Sequence, residues 1–213
     1  MSRSTYLSLQ LRREFPFGER LCEDPLVHRF DAFVSDDECA HIIAVARPGL
    51  RRGEVSGEAG GVRSPGRSND LTWVPHELDA VTSQVTARVA DIVGLPSINA
   101  ESMQVIRYGP GQEYRHHYDA YDLRTLRGQR CCDRGGQRMV TTLIYLSDVE
   151  EGGATGFPRL GLEVYPRRGA LLVFHNCVPG TTDVHPQTIH AGLPVIRGEK
   201  WAVNLWFRAG AYR

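Results

Sequence analysis

Apolar positions follow different periods in the two halves of the chain. In the first half they recur at spacings of three and four, which gives a helix one buried face. Ser35-Asp36-Asp37-Glu38 forms a capping box, serine first and glutamate three residues on, ahead of the run Cys39-Ala-His-Ile-Ile-Ala-Val-Ala. Pro48-Gly49 stops that helix, and His41 within it is expected at the surface or half-buried. Pro75 is expected to open a second helix. Its stripe of Leu78, Val81, Val85, Val89, Ile92 and Val93 should pack on a sheet, and Gly94-Leu95-Pro96 ends it.

From Glu101 onward the texture changes to short β-branched and aromatic runs separated by glycine-rich turns. Residues 139–146, 162–165, 169–174 and 200–207 read as strands, and a further short one is expected within 27–33. Gly169-Ala-Leu-Leu-Val-Phe174 is almost continuously apolar and should be buried on both faces. Helices first and many short strands afterwards indicate an α+β chain whose β part is a sandwich or barrel. Two polar stretches interrupt this pattern. Residues 51–70, rich in Gly, Ser and Arg, should form a mobile loop, either plainly solvated or a lid over a binding site. Residues 122–134 carry Arg124, Arg127 and Arg130 and read as a basic loop.

Composition acts mainly by exclusion. The 213 residues fit one domain, with 1–98 as helical support and loop and 99–213 as the β core. Lys plus Arg and Asp plus Glu both number 25, so nothing resembles the basic footprint of a general nucleic-acid binder. No apolar run approaches the roughly 18 residues of a membrane span, and MSRSTYLSLQLRREF lacks the apolar core of a signal peptide. The five cysteines form no CxxC pair, and their odd number argues against a disulfide framework. Cys131 and Cys132 read as incidental loop residues, and the compartment as reducing and cytoplasmic. The oligomeric state is left open.

Candidate chemistry concentrates in the stretch QVIRYGPGQEYRHHYD, from Gln104 to Asp119. It starts as a strand, turns at Gly109-Pro110-Gly111, and ends on two metal-capable side chains, His117 and Asp119. In an extended segment these point to the same face and can converge on one ion. His190 supplies a third group. Two imidazoles and a carboxylate leave open positions on a metal, the arrangement suited to non-haem Fe(II) and oxygen chemistry. His116 should face the other way, and neither His175 nor His185 stands in a comparable setting.

The blocks RYGPGQEYRHHYD, GGQRMVTTLIYLSDVEEGGATGFP, Pro-Arg-Arg-Gly169-Ala-Leu-Leu-Val-Phe and IHAGLPVIRGEKWAVNLWF follow one another as in prolyl 4-hydroxylases. These are 2-oxoglutarate- and Fe(II)-dependent dioxygenases with a double-stranded β-helix, or jelly-roll, fold. The resemblance covers about residues 100–208. It implies that His117, Asp119 and His190 hold Fe(II), and that Lys200 pairs with the distal carboxylate of 2-oxoglutarate. A dianion entering a barrel needs a fixed cation on independent grounds. Tyr108 resembles the tyrosine that hydrogen-bonds this cosubstrate, and Thr141 a polar residue lining the same pocket. Arg67, Glu101, Tyr114 and Trp206 fall where the family lines its substrate groove, and the basic loop 122–134 would flank it. His116 stands where the family usually has Pro, Leu205 where it often has Lys, and Gly156 where a bulky residue is common. These departures bear on the substrate and leave the metal ligands intact. A carboxylate at Asp119, where related halogenases have a small residue, favours hydroxylation.

The implied reaction hydroxylates a prolyl residue of a peptide or protein. It consumes 2-oxoglutarate and O2 and yields succinate and CO2, with ascorbate as a candidate reductant. A free amino acid or small metabolite is the alternative substrate, because the loops of this scaffold choose the substrate. A catalytically silent jelly-roll binding module is the alternative of another class, and the presence of Asp119 and Lys200 weighs against it.

Overall fold

The apolar run ending at Phe174 shows how the core is built. In the computed structural model, which describes residues 11–58 and 60–212, this run carries the strand Leu171–His175 inside an eight-stranded sheet. Successive side chains of a strand alternate between faces. Leu171 and Val173 therefore join one apolar cluster, and Leu172 and Phe174 join another on the opposite side. Neither face meets water, so this strand has no polar position to alternate with.

The large sheet runs in the order Glu19–Cys22, Val27–Phe30, Leu171–His175, Arg138–Tyr145, Lys200–Arg208, Met103–Tyr108, Asp70–Val74, Arg51–Arg52, and every neighbouring pair is antiparallel. A smaller sheet runs Leu162–Val164, Thr155–Phe157, His190–Gly192, Tyr114–His117, again antiparallel. Phe157 and Val164 of the small sheet pack with Ile106, Leu143 and Phe174 of the large one, so the two sheets enclose the inner cluster. This is the jelly-roll core. Four of the eight strands of the large sheet precede residue 99. The expected division at 98/99 into support and core therefore does not follow the sheet, because those strands extend it at both edges. The first ten residues of the expected lead-in lie outside the described residues.

The outer face of the large sheet is covered by α1 (Asp36–Ala46) and α2 (Ala80–Val93). At the start of α1 the Ser35 side chain accepts from the Glu38 backbone N–H and the Glu38 carboxylate accepts from Ser35, as the capping box requires. The second helix starts later than expected. Pro75 opens only a turn, Leu78 is exposed, and Asp79 is the cap, its carboxylate accepting from the Thr82 N–H at 2.9 Å. Seven of the fourteen residues of α2 are β-branched, which costs at most about 0.7 kcal/mol each in helix propensity. Burying a Val or Ile returns roughly 1.5–3 kcal/mol. Val85, Val89, Ile92 and Val93 are all buried against α1 and the sheet, so packing wins. Gly94, at φ 76°, ends the helix in the left-handed conformation. His41 Nε2 lies 2.7 Å from Asp79 Oδ2 and joins α1 to the cap of α2.

Neither polar stretch is a featureless loop. Residues 51–70 contain the edge strand Arg51–Arg52 and a small hairpin, Val55–Ser56 with Gly61–Val62. Residues 122–134 contain α3 (Leu126–Cys132), capped by Thr125. Gly128 sits where an added Cβ would lie 1.9 Å from the Asp122 carbonyl, so only glycine fits. Cys131 and Cys132 are thus helical residues, and all five cysteines are free.

Candidate active site

Strand pairing brings the two imidazoles together. His190 opens its strand directly opposite His117, the last residue of the neighbouring strand, and Asp119 turns inward just beyond. One ligand atom from each of the three lies within 4.8 Å of the others. His117 Nδ1 is 2.8 Å from the Arg115 carbonyl, and His190 Nδ1 is 2.9 Å from that of Thr188. A carbonyl only accepts, so each Nδ1 carries a proton and Nε2 is the atom turned toward the cluster. Those Nε2 atoms stand 3.7 and 3.5 Å from the Asp119 carboxylate.

Protonation states fit a cation. Burial, followed by the neighbouring His190, pushes His117 down and keeps it neutral. Burial alone would raise Asp119, but His190 first, and Arg138 and the Trp206 N–H after it, outweigh burial and hold the carboxylate ionised. Thr141 Oγ1 donates to Asp119 Oδ2 at 2.7 Å, and Asn176 Nδ2 donates to Thr141 at 2.8 Å. Thr141, expected along the cosubstrate pocket, is not among the residues lining the cleft; it is buried and braces a ligand. Two imidazole nitrogens and a braced carboxylate on one side match the donor set that Fe(II) takes with positions left open.

Lys200 lies on the other side of the cleft, opposite Tyr108 across the ladder. It is 2% exposed, its Nζ lies 5.4 Å from the Tyr108 ring centre and 5.5 Å from that of Tyr145, and among the described residues no carboxylate pairs with it. Burial pushes its pKa down to about 7. Burial also raises Tyr108, so its hydroxyl stays protonated and able to donate. A Cβ at Gly192 would come within 3.1 Å of that hydroxyl, so the glycine keeps the space around it open. An anion entering here would find one fixed cation and one hydroxyl donor.

A cleft of about 1540 Å³ connects these groups to the surface. Arg67 is buried in its wall, donating to the Asn69 side chain, the Glu54 carbonyl and Gln104 Oε1 at 2.9–3.0 Å. Its guanidinium sits 4.5 Å over the Tyr114 ring, which stacks on His117 at 3.7 Å. Trp206 lines the cleft beneath Arg138, at 3.6 Å, and its buried indole N–H faces the Asp119 carboxylate and favours its ionised form. Glu101 departs from expectation. It does not line the cleft but lies buried behind it, accepting from Arg138 at 2.6 and 2.8 Å and from Arg208 at 2.7 Å. A carboxylate between two buried guanidinium groups serves as their counterion and is not free for substrate.

The 2OG-Fe(II) oxygenase superfamily model matches residues 103–208. Probable prolyl 4-hydroxylase 3 of Arabidopsis thaliana is 34% identical over 95% of this chain and 76% of its own length. Prolyl 4-hydroxylase 5 of the same plant is 32% identical over 92% of this chain and 74% of its own length. The chain belongs to the prolyl 4-hydroxylase family of 2-oxoglutarate- and Fe(II)-dependent oxygenases. Among solved structures, the viral collagen prolyl hydroxylase of Paramecium Bursaria Chlorella virus-1, in its 2OG complex, superposes with a TM-score of 0.69. It is 32% identical, with 88% of this chain and 98% of that one covered.

Within this prolyl 4-hydroxylase-family oxygenase, some groups of the site carry no motif. Asn176 supports Thr141, and its one signal is a polar residue directly after a fully buried strand. Arg138 joins Trp206 to Glu101, and Gln104 holds Arg67; both were unsigned in the sequence, because their partners are far along the chain. His175 and His185 are buried away from the donor cluster, and His116 is exposed on the opposite face of its strand.

Proposed function

We propose that this enzyme hydroxylates proline residues within polypeptides. The carrying observation is the buried Lys200, without an ion-pair partner among the described residues, in the same cleft as the His117–Asp119–His190 donor set. A buried ammonium without a counterion is costly, and a dicarboxylic cosubstrate relieves that cost. When bound there, Fe(II) with 2-oxoglutarate and O2 supplies the oxidation that turns a C–H into a C–OH and leaves succinate and CO2.

The chain's own residues have the remaining tasks. Lys200 would hold the distal carboxylate of 2-oxoglutarate and Tyr108 would donate to it. Ile106, Leu143 and Phe174 line the same cleft and keep its inner end apolar, which strengthens that charge pairing. The Trp206 and Tyr114 rings, which line the cleft beside the donor set, would bear on the proline. A polypeptide substrate is supported by the size of the cleft and by relatives named prolyl 4-hydroxylases and a collagen prolyl hydroxylase. Five free thiols support a reducing compartment. Among the described residues no helix is long and apolar enough to cross a membrane.

The test is succinate formation by the Fe(II)-loaded enzyme against proline-containing peptides, intact proteins and free proline. Asp119→Ala serves as the control. Peptide-stimulated turnover, with a product heavier by one oxygen atom and lost in the variant, is the expected result. Stimulation by free proline alone would replace the polypeptide reading.

A further inference from the structure

The chain carries equal numbers of basic and acidic residues, yet its cationic groups are not evenly placed. Arg51, Arg52, Arg63, Arg127 and Arg130 all line the outer part of the cleft, and none forms an ion pair among the described residues. Arg52 donates to the Ser68 carbonyl, Arg127 to that of Ser56 at 3.1 Å and Arg130 to that of Gly57 at 2.7 Å, so their hydrogen-bond partners are neutral. Opposing them on the same lining are Glu54 and Asp183; Asp122 is already held by Arg124, and Asp119 belongs to the metal cluster. The positive excess is therefore local to the mouth.

Register shows how a substrate would meet it. Paired residues of an antiparallel ladder point to the same face. Asn204, Gln104 and Trp73 form one such row across the inner face of the large sheet, and Ala202, Ile106, Leu71 and Arg51 form the next. The floor of the cleft thus runs outward from the metal cluster, past a half-exposed Trp73, and ends on Arg51 at the sheet edge. Arg127 and Arg130 face this floor from α3.

We infer that the groove selects polypeptides carrying acidic residues beside the reacting proline. The inference rests on the prolyl hydroxylase reading and adds its substrate class. An extended peptide seated with proline at Trp206 passes Trp73 and brings its flanking side chains to the arginines. These are exposed, long-range contacts, so they act on capture and discrimination more than on the chemical step.

Three proline peptides that differ only in flanking Glu, Gln or Lys would be compared by fluorescence anisotropy without iron and by kcat/KM with it. The Glu peptide is expected to lead the Gln peptide by about tenfold in both, with the Lys peptide weakest and the lead shrinking at high salt. The double variant Arg51→Glu/Arg63→Glu should reverse the order. Because the salt series uses the wild-type enzyme, it stands even if that variant folds poorly. Equal binding of all three peptides, or a lead unaffected by salt, would overturn the inference while leaving prolyl hydroxylation in place. So would a variant that weakens 2-oxoglutarate alone, or an oligonucleotide that displaces the peptide equally well. If the Glu peptide bound tightest but no peptide were oxidised, the charge selection would stand and the prolyl reading would fall.

Discussion

The strand Lys200–Arg208 carries a buried cation at each end, and the fold treats the two in opposite ways. Arg208 is fully engaged: its Nε donates to Glu101 and its Nη1 to the carbonyls of Cys131 and Gly136. Lys200 is as deeply buried, with the rings of Tyr108 and Tyr145 beside it and, among the described residues, no ion-pair partner. A satisfied buried charge fixes structure, whereas an unsatisfied one is a vacancy for an anion. One strand therefore holds a structural cation and a ligand-binding cation, and hydrogen-bond partners tell them apart where burial does not.

The comparison breaks hardest at Glu101. Glu101→Ala strands Arg138 and Arg208 together and should cost about 3–5 kcal/mol in denaturant unfolding. At the other end, Lys200→Met should leave stability near neutral pH unchanged or higher. It should also weaken 2-oxoglutarate by about 2 kcal/mol or more, roughly 30-fold or more in its KM. If Lys200→Met were as destabilising as Glu101→Ala, the distinction between the two cations would collapse. A comparable effect is expected next door: Thr141→Val removes the donor to Asp119 and should lower metal affinity about 10- to 100-fold, read by chelator competition.

The mildest test is pH. Lys200 titrates at about 7 in the free protein, below its unfolded value, so between pH 7 and about 10.4 the unfolded chain binds the extra proton and stability rises with pH. Pairing with a carboxylate raises the lysine again, so cosubstrate binding takes up a proton. The affinity for 2-oxoglutarate should then fall by up to about tenfold per pH unit above 7. Calorimetry in buffers of different ionisation enthalpy measures that uptake.

The sequence exposes this pair of cations unequally. Lys200 is legible because it stands in a fixed relation to His190 and Trp201, and His117 and Asp119 because they are two apart on one strand. Arg208 and Glu101 are not, since their partnership spans the whole β core and leaves no local pattern. Glu101 consequently reads as a groove residue when its place in the family's pattern is the only guide. The start of α2 is displaced from Pro75 to Asp79 for a related reason: the Asp79–Thr82 hydrogen bonds that set it form only in the folded chain. The arginines of α3 gave a basic loop, but their reach to the hairpin carbonyls depends on where two distant segments meet.

The bond from Thr141 to Asp119 crosses from the large sheet to a ligand that follows the small one. A metal gripped by His117, His190 and Asp119 would therefore fasten the small sheet to the large one as well as serve chemistry. Breathing of the sandwich and release of the ion become one event, and every increment of metal affinity is also an increment in cohesion between the layers. Loading with Fe(II) or an inert divalent substitute should accordingly slow amide hydrogen exchange along Tyr114–His117 and His190–Gly192 while leaving α1 and α2 unchanged.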